Sequence, residues 1–236
     1  FPFSAVEFGL YLAIFVLILS LIYAIRRKRL RRWGANVLLF ASILFFTYTL
    51  CCGINYGHKS FSVATGITTS SYTAEELASV CELLTNHLNR LAPEISCAED
   101  GTSLMRKEIV PRNAKNAMEQ IGTLYDELDG YYPLPKRLTV SEILSYQNLS
   151  GIYSPFTIEA NYNDDMTEYN LPFTACHELS HLRGFMQEEE ANFIAFLACV
   201  NADSPEFQYS GYMLGWLYAT NQLYHADYDA YERIHS

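Results

Sequence analysis

The chain has 236 residues, half of them hydrophobic, and its 16 Lys and Arg against 26 Asp and Glu give a formal charge of −10 at pH 7. Six of the basic residues stand between Arg26 and Arg32, so from Gly53 onward 10 Lys and Arg face 25 Asp and Glu, a formal charge of −15. That balance excludes nucleic acid as a partner, while the roughly 180 residues that carry it suffice for one domain with its own core.

Phe8 to Ile25 and Val37 to Cys52 contain no charged residue. Stretches of that length and composition predict membrane-spanning helices. A signal peptide would carry its positive charge before the first apolar run, whereas here Arg26 to Arg32 follow it. Short basic loops stay in the cytoplasm, so residues 1–52 are expected to form a multi-pass transmembrane hairpin in the plasma membrane. On this reading residues 53–71 are a linker and 72–236 form an extracytoplasmic domain, with the lipid bilayer as one partner.

Within that domain, Thr73-Ala74-Glu75-Glu76 has the form of a capping box. Leu77, Val80, Leu84, Leu88 and Leu91 then recur at helical spacing. A second amphipathic helix is predicted from Pro111 to Leu128, with Ala114, Ala117, Ile121, Leu124 and Leu128 on one stripe. Between Arg137 and Tyr162, apolar residues alternate with turn residues and predict a few short strands. Tyr153 to Asn163 is the candidate edge strand that could hold an extended peptide. The expected fold class is mainly α (α+β): the N-terminal transmembrane helical hairpin, then a helical domain with a small β-sheet. The six cysteines form no CxxC pair, which argues against a structural zinc site. Cys81 and Cys97 are the most plausible disulfide pair, an unpaired buried cysteine being just as common, and Cys176 reads as packing.

The run His177-Glu178-Leu179-Ser180-His181 carries the chemistry. Residues four apart on a helix share a face, so both imidazoles can reach one Zn²⁺. Glu178 lies between them, placed to take a proton from a water that the metal activates. A third ligand must come from elsewhere, since a catalytic zinc takes three protein ligands. An unbroken helix would leave Glu188 roughly 10 Å from His181. The chain must therefore turn, and Gly184 can end the first helix with positive φ while a second starts near Gln187. On that second helix Glu188 shares a face with Asn192, Ala195 and Cys199, and Glu190 points away. Glu188 is the expected third ligand, Asn192 its supporting neighbour, and Glu190 the alternative ligand.

Beyond Asn201, Ser204-Pro205 restarts a helix through about Tyr224, rich in aromatics. His225 or one of the tyrosines Tyr209, Tyr212, Tyr218 and Tyr224 could donate a hydrogen bond to a developing oxyanion. The expected function is hydrolysis of peptide bonds by a zinc-activated water, with Glu178 as general base and a peptide or protein substrate, possibly a membrane or cell-envelope protein. The alternative is a non-catalytic, zinc-stabilised membrane sensor or scaffold. No Gly-x-Ser-x-Gly elbow supports a covalent mechanism.

Pro172 to His181, Gly184-Phe185, Glu188 to Cys199 and, upstream, Gly151 to Asn161 resemble the uncharacterised bacterial membrane family called domain of unknown function 3810. The resemblance extends to Asn55-Tyr56 and spans nearly the whole chain. It implies a membrane-anchored, gluzincin-like metallopeptidase, with the Glu-x-x-x-Asn of Glu188 and Asn192 similar to the Glu-x-x-x-Asp of CAAX prenyl proteases. It also implies a further span before Phe1 and more chain after Ser236. The separation of His181 from Glu188 is shorter than in those better-known peptidases.

Overall fold

A computed structural model describes residues 3–95 and 105–235. Two helices of 22 residues, α1 (Ala5–Arg26) and α2 (Leu30–Cys51), form the hairpin. Each is about 33 Å long at helical rise. Both are long and apolar enough to cross a membrane, and only 6% of each apolar window is buried. A core helix would be covered by its own protein, and these are not. The turn between them is shorter than the basic run suggested. Arg26 ends α1, Arg31 and Arg32 lie in the first turn of α2, and Lys28 takes a left-handed φ of 56° in between.

The opposite end of the hairpin meets the rest of the chain through reciprocal carboxylate caps. Glu159 accepts from the Ala5 and Val6 amides at 3.2 and 2.9 Å, and Glu7 accepts from those of Thr139 and Val140 at 2.9 and 3.1 Å. Each carboxylate satisfies amides that helix geometry or a turn leaves without a partner. Beside them, Cys52 at the end of α2 touches the Met186 sulfur at 3.5 Å.

Residues 53–71 are more ordered in form than a linker. A 3₁₀ turn at Gly53–Gly57 leads into α3 (Phe61–Thr65), whose Ser60 cap accepts from Val63. Phe61 is fully buried, and its amide donates to Glu190 at 2.7 Å. Helix α4 (Ala74–Leu91) starts with the Thr73/Glu76 capping box and buries Leu77, Cys81, Leu84, Leu88 and Leu91. Cys81 is buried and Cys97 lies outside the described residues, so the pairing proposed between them does too.

Helix α5 (Val110–Gly122) is shorter than the expected 111–128. The chain folds back over Gly122, where a Cβ would sit 2.9 Å from the Leu128 carbonyl oxygen. Leu124 is exposed as a result, although the stripe had placed it inside, while Leu128 is buried from a separate 3₁₀ turn.

The sheet has three strands, β1 (Lys136–Arg137), β2 (Gly151–Ser154) and β3 (Glu159–Tyr162), in the order β1-β3-β2. Helix α6 (Ser141–Tyr146) lies between the first two. β1 runs parallel to β3, and β2 pairs antiparallel with it in the register Gly151 to Tyr162 and Ser154 to Glu159. This corrects the expected edge strand. The interval Tyr153–Asn163 takes in the last two residues of β2 but also all of β3, which is central and buried along its length, while β1 and β2 form the two edges. Apolar alternation marks strands but does not order them in a sheet.

Four helices complete the fold: α7 (Asn170–Arg183), α8 (Glu188–Val200), α9 (Pro205–Ala226) and α10 (Tyr228–His235). α7 is central, packed by α5, α8, α9 and both longer strands. Two aromatics of α9 serve its contact with α4: Trp216 donates to Thr85 at 2.9 Å, and Tyr212 stacks on His87 at 4.4 Å.

Candidate metal centre

Helix α7 carries the two histidines into the interior. His177 and His181 project from one face, as their spacing requires, with ring centroids 4.6 Å apart. The helix stops at Gly184, whose φ of 111° is open to glycine and strained for other residues. The amide of Phe185 then closes the turn on the Ser180 carbonyl at 3.2 Å. After this reversal α8 begins with Gln187 as N-cap and Glu188 as its first residue.

The reversal brings Glu188 back over the histidines. Its Oε2 lies 3.2 Å from His177 Nε2 and its Oε1 3.6 Å from His181 Nε2. The ligating atoms of the three residues all fall within 4.8 Å of one another. Two imidazole nitrogens and a carboxylate make a donor set suited to zinc. The Phe185 carbonyl lies 2.8 Å from His181 Nδ1. With the proton on Nδ1 donated to that oxygen, Nε2 keeps its lone pair toward the site. Burial and the neighbouring His181 push the His177 imidazole down to about 4, against an opposing contact with Asn192. It is therefore neutral at physiological pH, the form that binds a metal.

Glu178 lies on the same helix and is almost fully buried. Burial, and then the charge of Glu188, push its carboxyl well above the ordinary range. Its Oε2 and His177 Nδ1 are buried polar atoms without a hydrogen-bond partner among the described residues. An orphaned carboxylate oxygen is costly, and here it sits beside three converging donors. The group fits a site that takes a metal and a water.

Glu190, the alternative ligand, is turned away and caps α3 through the Phe61 amide. Asn192 falls one turn beyond Glu188 and lines a cavity of about 290 Å³ with His177, Glu188 and Tyr218. Of the aromatic residues named on α9, and His225, only Tyr218 lines this cavity among the described residues. Burial and the Glu188 carboxylate push its phenol up, against a hydrogen bond with Asn192, so it keeps its proton at neutral pH.

Sequence reasoning missed two contributions. Gly151, at the start of β2, packs on Glu178 so closely that a Cβ would lie 2.7 Å from the carboxyl carbon. A glycine inside a strand often marks such an approach. The other is the hairpin: Tyr48 and Cys52 line a second cavity, of about 350 Å³, together with Gly151, Glu178 and the three candidate ligands. A larger apolar cavity of about 580 Å³ opens between α4, α8 and α9, beyond Asn192 and Tyr218.

Fold and site define a mainly helical protein with a small three-stranded sheet, two N-terminal apolar helices and a His/His/Glu cluster on consecutive helices. The chain belongs to the family described as protein of unknown function DUF3810, whose model matches residues 1–236. No curated protein and no solved structure matches it.

Proposed function

We propose that this protein is a membrane-anchored zinc metallopeptidase of gluzincin-like, zincin type, in which His177, His181 and Glu188 hold the ion and Glu178 is the general base. The observation that carries the reading is the convergence of three ligating groups beside a buried carboxyl with an unpartnered oxygen. Bound there, Zn²⁺ would polarise a carbonyl and lower the pKa of its water to about 7. Glu178 takes the proton of the attacking water and returns it to the leaving amine. A carboxyl kept uncharged by burial in the metal-free site has the raised proton affinity this role uses. Asn192 lines the same cavity as His177 and is its supporting neighbour on this reading, and the edge of β2 offers backbone groups to an extended peptide.

On this reading α1 and α2 cross the bacterial plasma membrane. The Arg26–Arg32 cluster lies on the cytoplasmic side by charge bias, and the domain, joined to the opposite end of the hairpin, is extracytoplasmic. The acidity of everything after Gly53 leaves anchoring to the hairpin.

The test is zinc per chain in the detergent-purified protein. We expect near one zinc, lost in His177→Ala and Glu188→Gln and kept in Glu190→Gln and Glu178→Gln. No zinc in any variant would overturn the enzyme reading and leave a membrane scaffold.

A further inference from the structure

We infer that the polypeptides cut at this site are themselves membrane-tethered, and that scission falls about five residues beyond the bilayer surface. The inference rests on the peptidase reading and names its substrate class.

The first observation is the composition of the cleft. It is lined by Glu178 and the three candidate ligands together with Tyr48, in the last turn of α2, and Cys52. One helical turn advances about 5.4 Å, so the site opens beside the end of an apolar helix. Both hairpin helices are about 33 Å long, close to the roughly 30 Å of a bilayer's hydrocarbon core. Their domain-side ends therefore fall at the boundary, the level that Tyr favours.

The second observation is the direction of β2. Its first residue, Gly151, lies against Glu178. The hydroxyl of its last, Ser154, lies 3.0 Å from that of Thr157, which donates to Glu159, the carboxylate that caps the first turn of α1. The free edge thus runs from the reacting centre to the end of the hairpin, three residue steps or about 10 Å. Adding one turn's depth gives roughly 15 Å, or about five extended residues at ~3.3 Å each.

The third is the turn joining β2 to β3. Phe156 and Ile158 are exposed there, 46% and 60%, beside the α1 cap. Exposed apolar residues at that level sit in lipid headgroups more favourably than in water. A chain emerging from the bilayer next to α1 would meet β2 at its Ser154 end and reach Glu178 in extended form. A soluble peptide has no such guide.

The experiment reconstitutes the full zinc-loaded chain in vesicles with a single-span reporter whose long outer tail contains all twenty residue types in scrambled order. The same tail as a soluble peptide, and unfolded casein, are offered in parallel, with Glu178→Gln protein as background. We expect new termini clustered within about three to eight residues of the reporter's last apolar residue, and cleavage at least ~10-fold faster than for the soluble tail at equal bulk concentration. Cleavage of tail and casein at rates matching the tethered reporter, with scattered termini, overturns the inference and leaves the peptidase reading standing. No cleavage of any of the three overturns both.

Discussion

Glu178 is the residue whose surroundings most directly set function against stability. Its raised carboxyl means that, above the ordinary value of 4.5, the unfolded chain is charged while the metal-free folded site still holds the proton. The group therefore costs stability as pH rises above 4.5. Glu178→Gln should raise the melting temperature of metal-free protein at pH 7, the gain shrinking toward pH 4.5, while hydrolysis falls by about 10²–10⁴-fold. A lower melting temperature at pH 7 would refute the burial argument. His177 has the opposite sign, because its folded value of about 4 lies below the ordinary 6.5. Its contribution is complete above pH 6.5 and lost as pH falls from there toward 4. Gly151→Ala tests the approach to Glu178 from the other side: the new Cβ must displace the carboxyl. A 1 Å misplacement can cost ~10²-fold in rate, so activity should fall on that order with zinc per chain unchanged; loss of zinc would show that Gly151 serves the fold instead.

At the scale of elements, the α7–α8 reversal makes the site. Gly184 allows the turn, the Phe185 carbonyl orients His181, the Phe185 ring packs 5.5 Å from Phe61, and Met186 meets the end of α2. Gly184→Ala strains a φ of 111° and should cost more than about 1 kcal/mol, or a few degrees in melting temperature. By shifting the Phe185 carbonyl it should also weaken zinc binding ~10–100-fold, measured by competition with a chromophoric chelator; unchanged affinity would mean that His181 orients itself. This reversal was legible in the sequence, because a fixed helical rise separates His181 from Glu188 unless a glycine breaks the path. The capping box at Thr73 was legible for the same reason, being local. Strand order was not, since the pairing of β1 with β3 across α6 depends on non-local contacts. The early end of α5 was hidden too: the periodicity runs on through Leu124, and only the chain folding over Gly122 stops the helix.

For the whole molecule, the decisive feature is that hairpin and domain share a joint instead of a tether. Glu159 holds two α1 amides and also meets Lys136, and Glu7 holds two amides before α6. None of this follows from hydropathy, which gives spans but not what their ends touch. Burial pushes the Glu159 carboxyl up, but Lys136 and the amides outweigh it and hold it below 4.5. A depressed carboxyl contributes stability above its unfolded value and loses it as pH falls through the folded one, so the joint should persist at neutral pH and loosen only in acid below 4.5. Hydrogen bonds to charged groups contribute about 1.5–3 kcal/mol each, enough to fix one orientation of sheet and hairpin. Spin labels at Leu10, on the exposed face of α1, and at Tyr146, at the exposed end of α6, should give one narrow distance distribution in vesicles. In Glu7→Ala/Glu159→Ala the distribution should broaden while zinc per chain stays near one, because the ligands lie on α7 and α8. A narrow distribution in the double variant would place the rigidity in the Cys52–Met186 contact and the Phe61 anchor, with the carboxylate caps following from that geometry.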